Sequence, residues 1–119
     1  MNLLAVFIGG GLGSLTRYGI SLGFQRAGVV QFPLATLISN TLACVIMGLT
    51  LYYFKQKTIQ VEWISLLILT GFCGGFSTFS TFSYETFQLM QQGAYVWAIT
   101  NVLLSVFLGL GSMWMLLKN

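Results

Sequence analysis

Four long apolar stretches, separated by short polar ones, make up nearly the whole chain. The first runs from Leu3 to about Gly23 and is apolar except at Ser14, Thr16, Arg17 and Tyr18. Gln25 to Gln31 follows as a polar connection containing Arg26. The second starts at Pro33, a residue suited to the first turn of a helix, and runs to about Phe54, where Lys55-Gln56-Lys57 closes it. Glu62 and Trp63 open the third, which reaches about Met90. Gln91-Gln92-Gly93 then turns the chain, and the fourth runs from Tyr95 and Trp97 to Lys118. Trp at such boundaries fits the membrane–water interface. Each stretch has about 20 residues or more, enough to cross a hydrocarbon core of ~30 Å as a helix. The pattern predicts an all-α membrane protein of four transmembrane helices. No loop is long enough for a separate domain, so residues 1–119 read as a single unit.

The third stretch is not uniformly apolar. It contains Gly71-Phe72-Cys73-Gly74-Gly75-Phe76-Ser77-Thr78-Phe79-Ser80-Thr81-Phe82-Ser83-Tyr84-Glu85. Adjacent glycines weaken a helix by roughly 1 kcal/mol each relative to Ala. Interrupted helix at membrane depth is tolerated only where the backbone is buried in protein or lines a watery cavity. The third helix is therefore expected to be broken at its centre, with the functional centre at the break. The half-helix before Gly74 would end in free carbonyls, and the half beginning near Ser77 would present free N–H groups. Such carbonyl ends suit small cations, and N-terminal ends suit anions. Phe79 and Phe82 are three residues apart and share a helix face. Ser77, Ser80, Thr81 and Tyr84 form a neighbouring hydroxyl stripe. Phenylalanine edges carry positive potential and hydroxyls donate hydrogen bonds, so together they can meet a dehydrating anion without a deep trap, as conduction requires. Helix packing is the alternative role for the two rings.

The other polar groups inside the spans fall in one half of the membrane. Taking the side with Lys55, Lys57 and Lys118 as near, Arg17 lies ~9 Å from the far end of the first span and Asn40 ~10 Å from the far start of the second. Glu85 and Asn101 fall in the same far half. A one-sided cluster makes half a pathway, and an inverted second copy would supply the other half. The Lys/Arg bias between the two sides is small and permits insertion both ways. From charge alone, a fixed orientation with the lysine side cytoplasmic stands equally. Arg17 faces the bundle interior or snorkels to the far interface. Glu85 pairs with Arg17 or stands as an interfacial carboxylate. The Asn40 and Asn101 amides must find partners, interhelical ones at the least. Gly9 and Gly13 have the GxxxG spacing that lets helices approach closely, whether as a tight contact, including one between subunits, or as ordinary glycine usage in membranes.

Composition narrows the function. Of 119 residues, 56% are hydrophobic and 6% charged, with a mean hydropathy of +0.86, whereas a soluble domain is about 25% charged. There is no histidine. Glu62 and Glu85 are the only acids, so no acid/base pair or nucleophile constellation can be assembled and the chain is not expected to be an enzyme. A net charge of +3 is too sparse for a nucleic-acid surface. Cys44 and Cys73 read as small buried hydrophobes, with no zinc-like or disulfide spacing. The N-terminus lacks the basic region of a signal peptide and reads as a mature span.

Gly74-Gly75-Phe76-Ser77-Thr78-Phe79-Ser80-Thr81-Phe82-Ser83 resembles the third-helix signature of the Fluc (CrcB-type) fluoride channels. Gly13 with Arg17-Tyr18 resembles that family's first-helix motif, and Thr36-Leu37-Ile38-Ser39-Asn40 its second. The resemblance covers all four spans in order. It implies an antiparallel dual-topology homodimer in the bacterial inner membrane, with two fluoride pores and a central structural Na⁺, that exports cytoplasmic fluoride passively. By the same resemblance Phe79 and Phe82 line the pores, and Asn40 is the pore asparagine. Arg17 is the vestibule arginine, and Ser80, Thr81 and Glu85 lie along the pathway. The backbone carbonyls of Gly74 and Ser77 hold the Na⁺. Ser105 is a fourth-span serine that could belong to the pathway. Ala35 and Ala43 stand where the family commonly has glycine, and Ser77 where it commonly has threonine. These departures leave open a heteromer with a paralogous subunit. A small multidrug antiporter of similar size would need a carboxylate in the first span, where this chain has Arg17 instead.

Overall fold

A computed structural model describes residues 1–29, 31–57 and 62–118. The first two spans are single helices, α1 (Asn2–Arg26) and α2 (Leu34–Lys57). The third is composite. A short α3 (Glu62–Ser65) leads into a π-helical segment, Leu66–Cys73, then into one turn of α4 (Gly74–Phe76), and after two non-helical residues into α5 (Phe79–Gln91). The fourth span is α6 (Tyr95–Leu117). All four spans are long and apolar enough to cross a membrane, so the protein is a multi-pass membrane protein. Most of the large apolar side chains on α1 and α6 face outward, as lipid-facing surfaces require.

Two of the turns are set by glycine. Gly28 and Gly93 have φ of 73° and 75°, the left-handed conformation that L side chains seldom adopt. Each follows a helix end in the same way. Val29 N–H donates to the Phe24 carbonyl and Gly28 N–H to that of Gln25; Ala94 N–H donates to the Leu89 carbonyl and Gly93 N–H to that of Met90. These pairs satisfy the last carbonyls of α1 and α5 and reverse the chain.

α1 packs chiefly along the π-helical segment and α4, while α2 packs along α6. The first of these contacts is a glycine seam. A Cβ at Gly9 would fall on the Leu67 carbonyl, and one at Gly13 on the Phe72 carbonyl; one at Gly75 would fall on the Gly10 carbonyl. The Gly9/Gly13 spacing thus serves a backbone-to-backbone contact within the chain, between the first and third spans.

The third span leaves helical geometry later than the glycine pair suggests. Gly74 and Gly75 are helical, and the extended residues are Ser77 (φ −81°, ψ 157°) and Thr78 (φ −152°, ψ 118°). Gly75 is used for close approach to α1 instead, while Gly74 meets nothing there. At Ser77–Thr78 other side chains take over the backbone's hydrogen bonds, as described below.

Candidate functional site

Thr78 is the hub of the site. It is the N-cap of α5, its Oγ1 accepting from the Thr81 N–H at 3.2 Å. An N-cap threonine satisfies one of the orphan donors at the helix start. The same oxygen donates to Thr81 Oγ1 at 3.1 Å and lies 3.2 Å from Ser80 Oγ. The Thr78 backbone is bound by α2: its N–H donates to Asn40 Oδ1 at 2.7 Å, and Asn40 Nδ2 donates to its carbonyl at 3.2 Å. One turn earlier, the Gly75 carbonyl accepts from Ser14 Oγ at 3.4 Å and Arg17 Nε at 3.3 Å. Ser77 Oγ donates to the Cys73 carbonyl at 2.8 Å. Polar residues of α1 and α2 therefore converge on the backbone groups freed at Ser77–Thr78. Ser14, Arg17 and Asn40, polar residues in apolar helices, thus each have a backbone partner on the third span.

A groove of about 300 Å³ opens beside this hub, walled by Asn40, Cys44, Ser77, Thr78, Phe79, Phe82, Ser105 and Val106. Phe79 and Phe82 sit with ring centroids 5.9 Å apart and planes inclined by 38°. Phe79 is 80% exposed, so its ring stands at the open edge of the groove. Ser105 on α6 turns a buried hydroxyl into the same region, without a hydrogen-bond partner among the described residues. Five of the candidates named from the sequence, Asn40, Ser77, Phe79, Phe82 and Ser105, thus share one groove.

The remaining candidates lie elsewhere. Ser80 and Thr81 join the groove only through Thr78 Oγ1. Arg17 is turned to the Gly75 carbonyl. Glu85 borders a separate cavity of about 180 Å³ with Ser21, Gln25, Pro33 and Ala35. Its Oε2 is buried without a hydrogen-bond partner among the described residues. Arg17 and Glu85 therefore do not form the ion pair that their shared depth allowed: Arg17 Nε is held by the Gly75 carbonyl, and Glu85 Oε2 has no hydrogen-bond partner among the described residues. Gly74 is exposed, with nothing within 4 Å of where a Cβ would sit.

Asn101 is almost fully buried. Its Nδ2 donates to Thr86 Oγ1 at 2.9 Å, and Thr86 Oγ1 in turn donates to the Phe82 carbonyl at 2.7 Å. This ties α6 to α5 one turn below the Phe82 ring. The sequence reading missed Thr78 and Ser14 as backbone ligands. Thr78 had a signal, a threonine just before an apolar helical run; Ser14 had none beyond being polar in a span.

Residues 4–116 match the family described as CrcB-like protein, Camphor Resistance (CrcB). The chain is 50% identical over 106 residues to fluoride-specific ion channel FluC 1 of Yersinia pestis, covering 88% of this chain and 82% of that one. It is 47% identical over 106 residues to the fluoride-specific ion channel FluC of Serratia proteamaculans, with the same coverage. To the protein of that name from Coxiella burnetii (strain Dugway 5J108-111) it is 42% identical over 118 residues, 97% of this chain and 94% of that one.

Proposed function

Because the chain belongs to the CrcB-like family, whose relatives here are named as ion channels and not as enzymes, we propose that it forms a fluoride-selective channel. The observation that carries this reading is the coincidence of those relatives over nearly the whole chain with a groove walled by two phenylalanines, an amide and hydroxyls. Fluoride would lose water against ring edges and hydroxyls, none of them a fixed positive charge, and so pass through weak successive contacts. Phe79, Phe82, Asn40 and the hydroxyl chain of Ser80, Thr81 and Thr78 form the inner path in this reading. Arg17 and Glu85, both in the far half and outside the groove, would stand toward its entrance on that side.

Two antiparallel copies would form the working unit, with one groove each and the exposed Phe79 reaching into the partner. The one-sided polar cluster and the outward position of Phe79 support this arrangement. Passive flux through it would let fluoride leave the cell down its gradient across the bacterial inner membrane.

A small cation suits the Ser77–Thr78 region. The N–H groups that would close helical turns onto the Gly74 and Ser77 carbonyls belong to Thr78 and Thr81, and both are engaged elsewhere, on Asn40 and on Thr78 Oγ1. Two hard carbonyl oxygens per chain are the donor type that Na⁺ takes at unwound helix. Gly74 and Ser77 from two subunits would hold it, and when bound it would supply positive charge that joins the two third spans.

The test is anion efflux from liposomes containing the purified protein, with a potassium ionophore balancing charge. Fluoride is expected to leave and chloride to stay. Retention of fluoride by liposomes carrying intact protein, or equal release of both anions, would overturn the reading.

A further inference from the structure

Asn40 grips Thr78 at both ends of its backbone unit, accepting from the N–H at 2.7 Å and donating to the carbonyl at 3.2 Å. A side-chain amide can make both bonds only to an extended residue, whose N–H and C=O point to the same side. In an α-helix these groups point in opposite directions along the axis. Thr78, with φ −152° and ψ 118°, is extended. The double bond therefore stabilises the extended state and adds nothing to the helical one.

The grip has a consequence one turn back. Were Ser77 and Thr78 helical, the Thr78 N–H would bond the Gly74 carbonyl and the Thr81 N–H that of Ser77, by the i→i−4 rule. With Thr78 held extended, the first donor is spent on Asn40 and the second on Thr78 Oγ1. Gly75, whose carbonyl also lies in this turn, is covered by Ser14 and Arg17. The usual helical donors to the Gly74 and Ser77 carbonyls are thus both engaged elsewhere.

We propose that Asn40 is a positioning residue whose amide clips Thr78 in the extended conformation and so holds the Gly74 and Ser77 carbonyls open to a small cation. The second half of this proposal rests on the cation reading given above. Asn40 also walls the groove, so one side chain links the path of the anion to the cation's ligands. Its loss stops the channel through the backbone, beyond any direct contact it makes with the anion.

The experiment compares the full chain with Asn40→Ala and Asn40→Ser. Serine keeps a hydroxyl donor beside the groove but cannot span an N–H and a carbonyl together. Two readouts are taken on purified protein: hydrogen exchange at the Thr78 amide, and the Na⁺ concentration needed to raise the thermal unfolding midpoint half-way, with K⁺ as the reference salt. Both variants are expected to exchange Thr78 about tenfold faster or more, and to need about tenfold more Na⁺, the factor that one lost hydrogen bond produces. Exchange at the wild-type rate in both variants overturns the clip. Faster exchange with an unchanged Na⁺ requirement overturns its link to the carbonyls. Full wild-type behaviour of Asn40→Ser beside a defective Asn40→Ala overturns the need for a two-ended amide. A wild-type protein indifferent to Na⁺ sinks the cation reading, and with it the second half of this proposal, while the exchange rates still decide the clip.

Discussion

Ser39 and Asn101 show two ways of being polar inside this protein. Ser39 is 0% exposed, and its hydroxyl has no hydrogen-bond partner among the described residues. Leaving such a group unpaired costs about 1–3 kcal/mol, so Ser39→Ala is expected to raise stability by about 1 kcal/mol, read as a higher unfolding midpoint in detergent. A lower midpoint would mean that the hydroxyl has a partner. Asn101, by contrast, is 1% exposed and bonded to Thr86. Interhelical hydrogen bonds in membranes contribute about 0.6–2 kcal/mol. Asn101→Leu is expected to lose that amount and lower the midpoint; an unchanged midpoint would show the bond to be idle. At this scale the sequence made it plain that buried amides need partners, because the surrounding residues are apolar. It did not reveal which partners. Thr78 lies 38 residues from Asn40, and Thr86 lies 15 from Asn101, separations that no spacing along one helix encodes.

The element that matters most is the third span, and its sequence misleads by three residues. Two adjacent glycines cost a helix about 1 kcal/mol each, which marks Gly74-Gly75 as the place to stop. In a membrane, however, a backbone group that leaves the helix must find a partner at once. Helix therefore continues through the glycines, of which Gly75 is spent on contact with α1, and ends where Asn40 offers Thr78 a replacement. Secondary-structure propensity belongs to one strand of chain, and this decision belongs to two. The π-helical Leu66–Cys73, which packs against α1, was announced by nothing in its apolar sequence. The glycine seam yields a paired prediction. Gly13→Ala would drive a methyl into the Phe72 carbonyl, whereas Gly11 has nothing within 4 Å. Gly13→Ala is expected to destabilise by about 1–3 kcal/mol through overpacking, and Gly11→Ala to leave the chain monodisperse at an unchanged or higher midpoint. Equal effects of the two on thermal unfolding would show that the seam is not a tight contact.

At the scale of the whole molecule, the four spans were legible because a run of about 20 apolar residues has few other uses, and the helices end within about three residues of where the polar punctuation placed them. Orientation is a different matter. The lysines at one side and the arginines at the other nearly balance, and loop charge is what sets topology. C-terminal reporter fusions are expected on both sides of the membrane, in comparable amounts. A single location for all copies, in cells where this is the only family chain and fluoride export is intact, would rule out the antiparallel assembly. The central claim is that the groove beside Thr78 carries the ion. It is tested most directly by fluoride efflux per intact dimer from proteoliposomes carrying Phe79→Ile or Phe82→Ile, with the dimer quantified by gel filtration. Isoleucine keeps the bulk and loses the ring edge. Both variants are expected to elute as dimers and to pass fluoride about tenfold more slowly or worse, a barrier rise of about 1.4 kcal/mol. Wild-type flux per dimer in both would contradict the assignment and leave the two rings as packing.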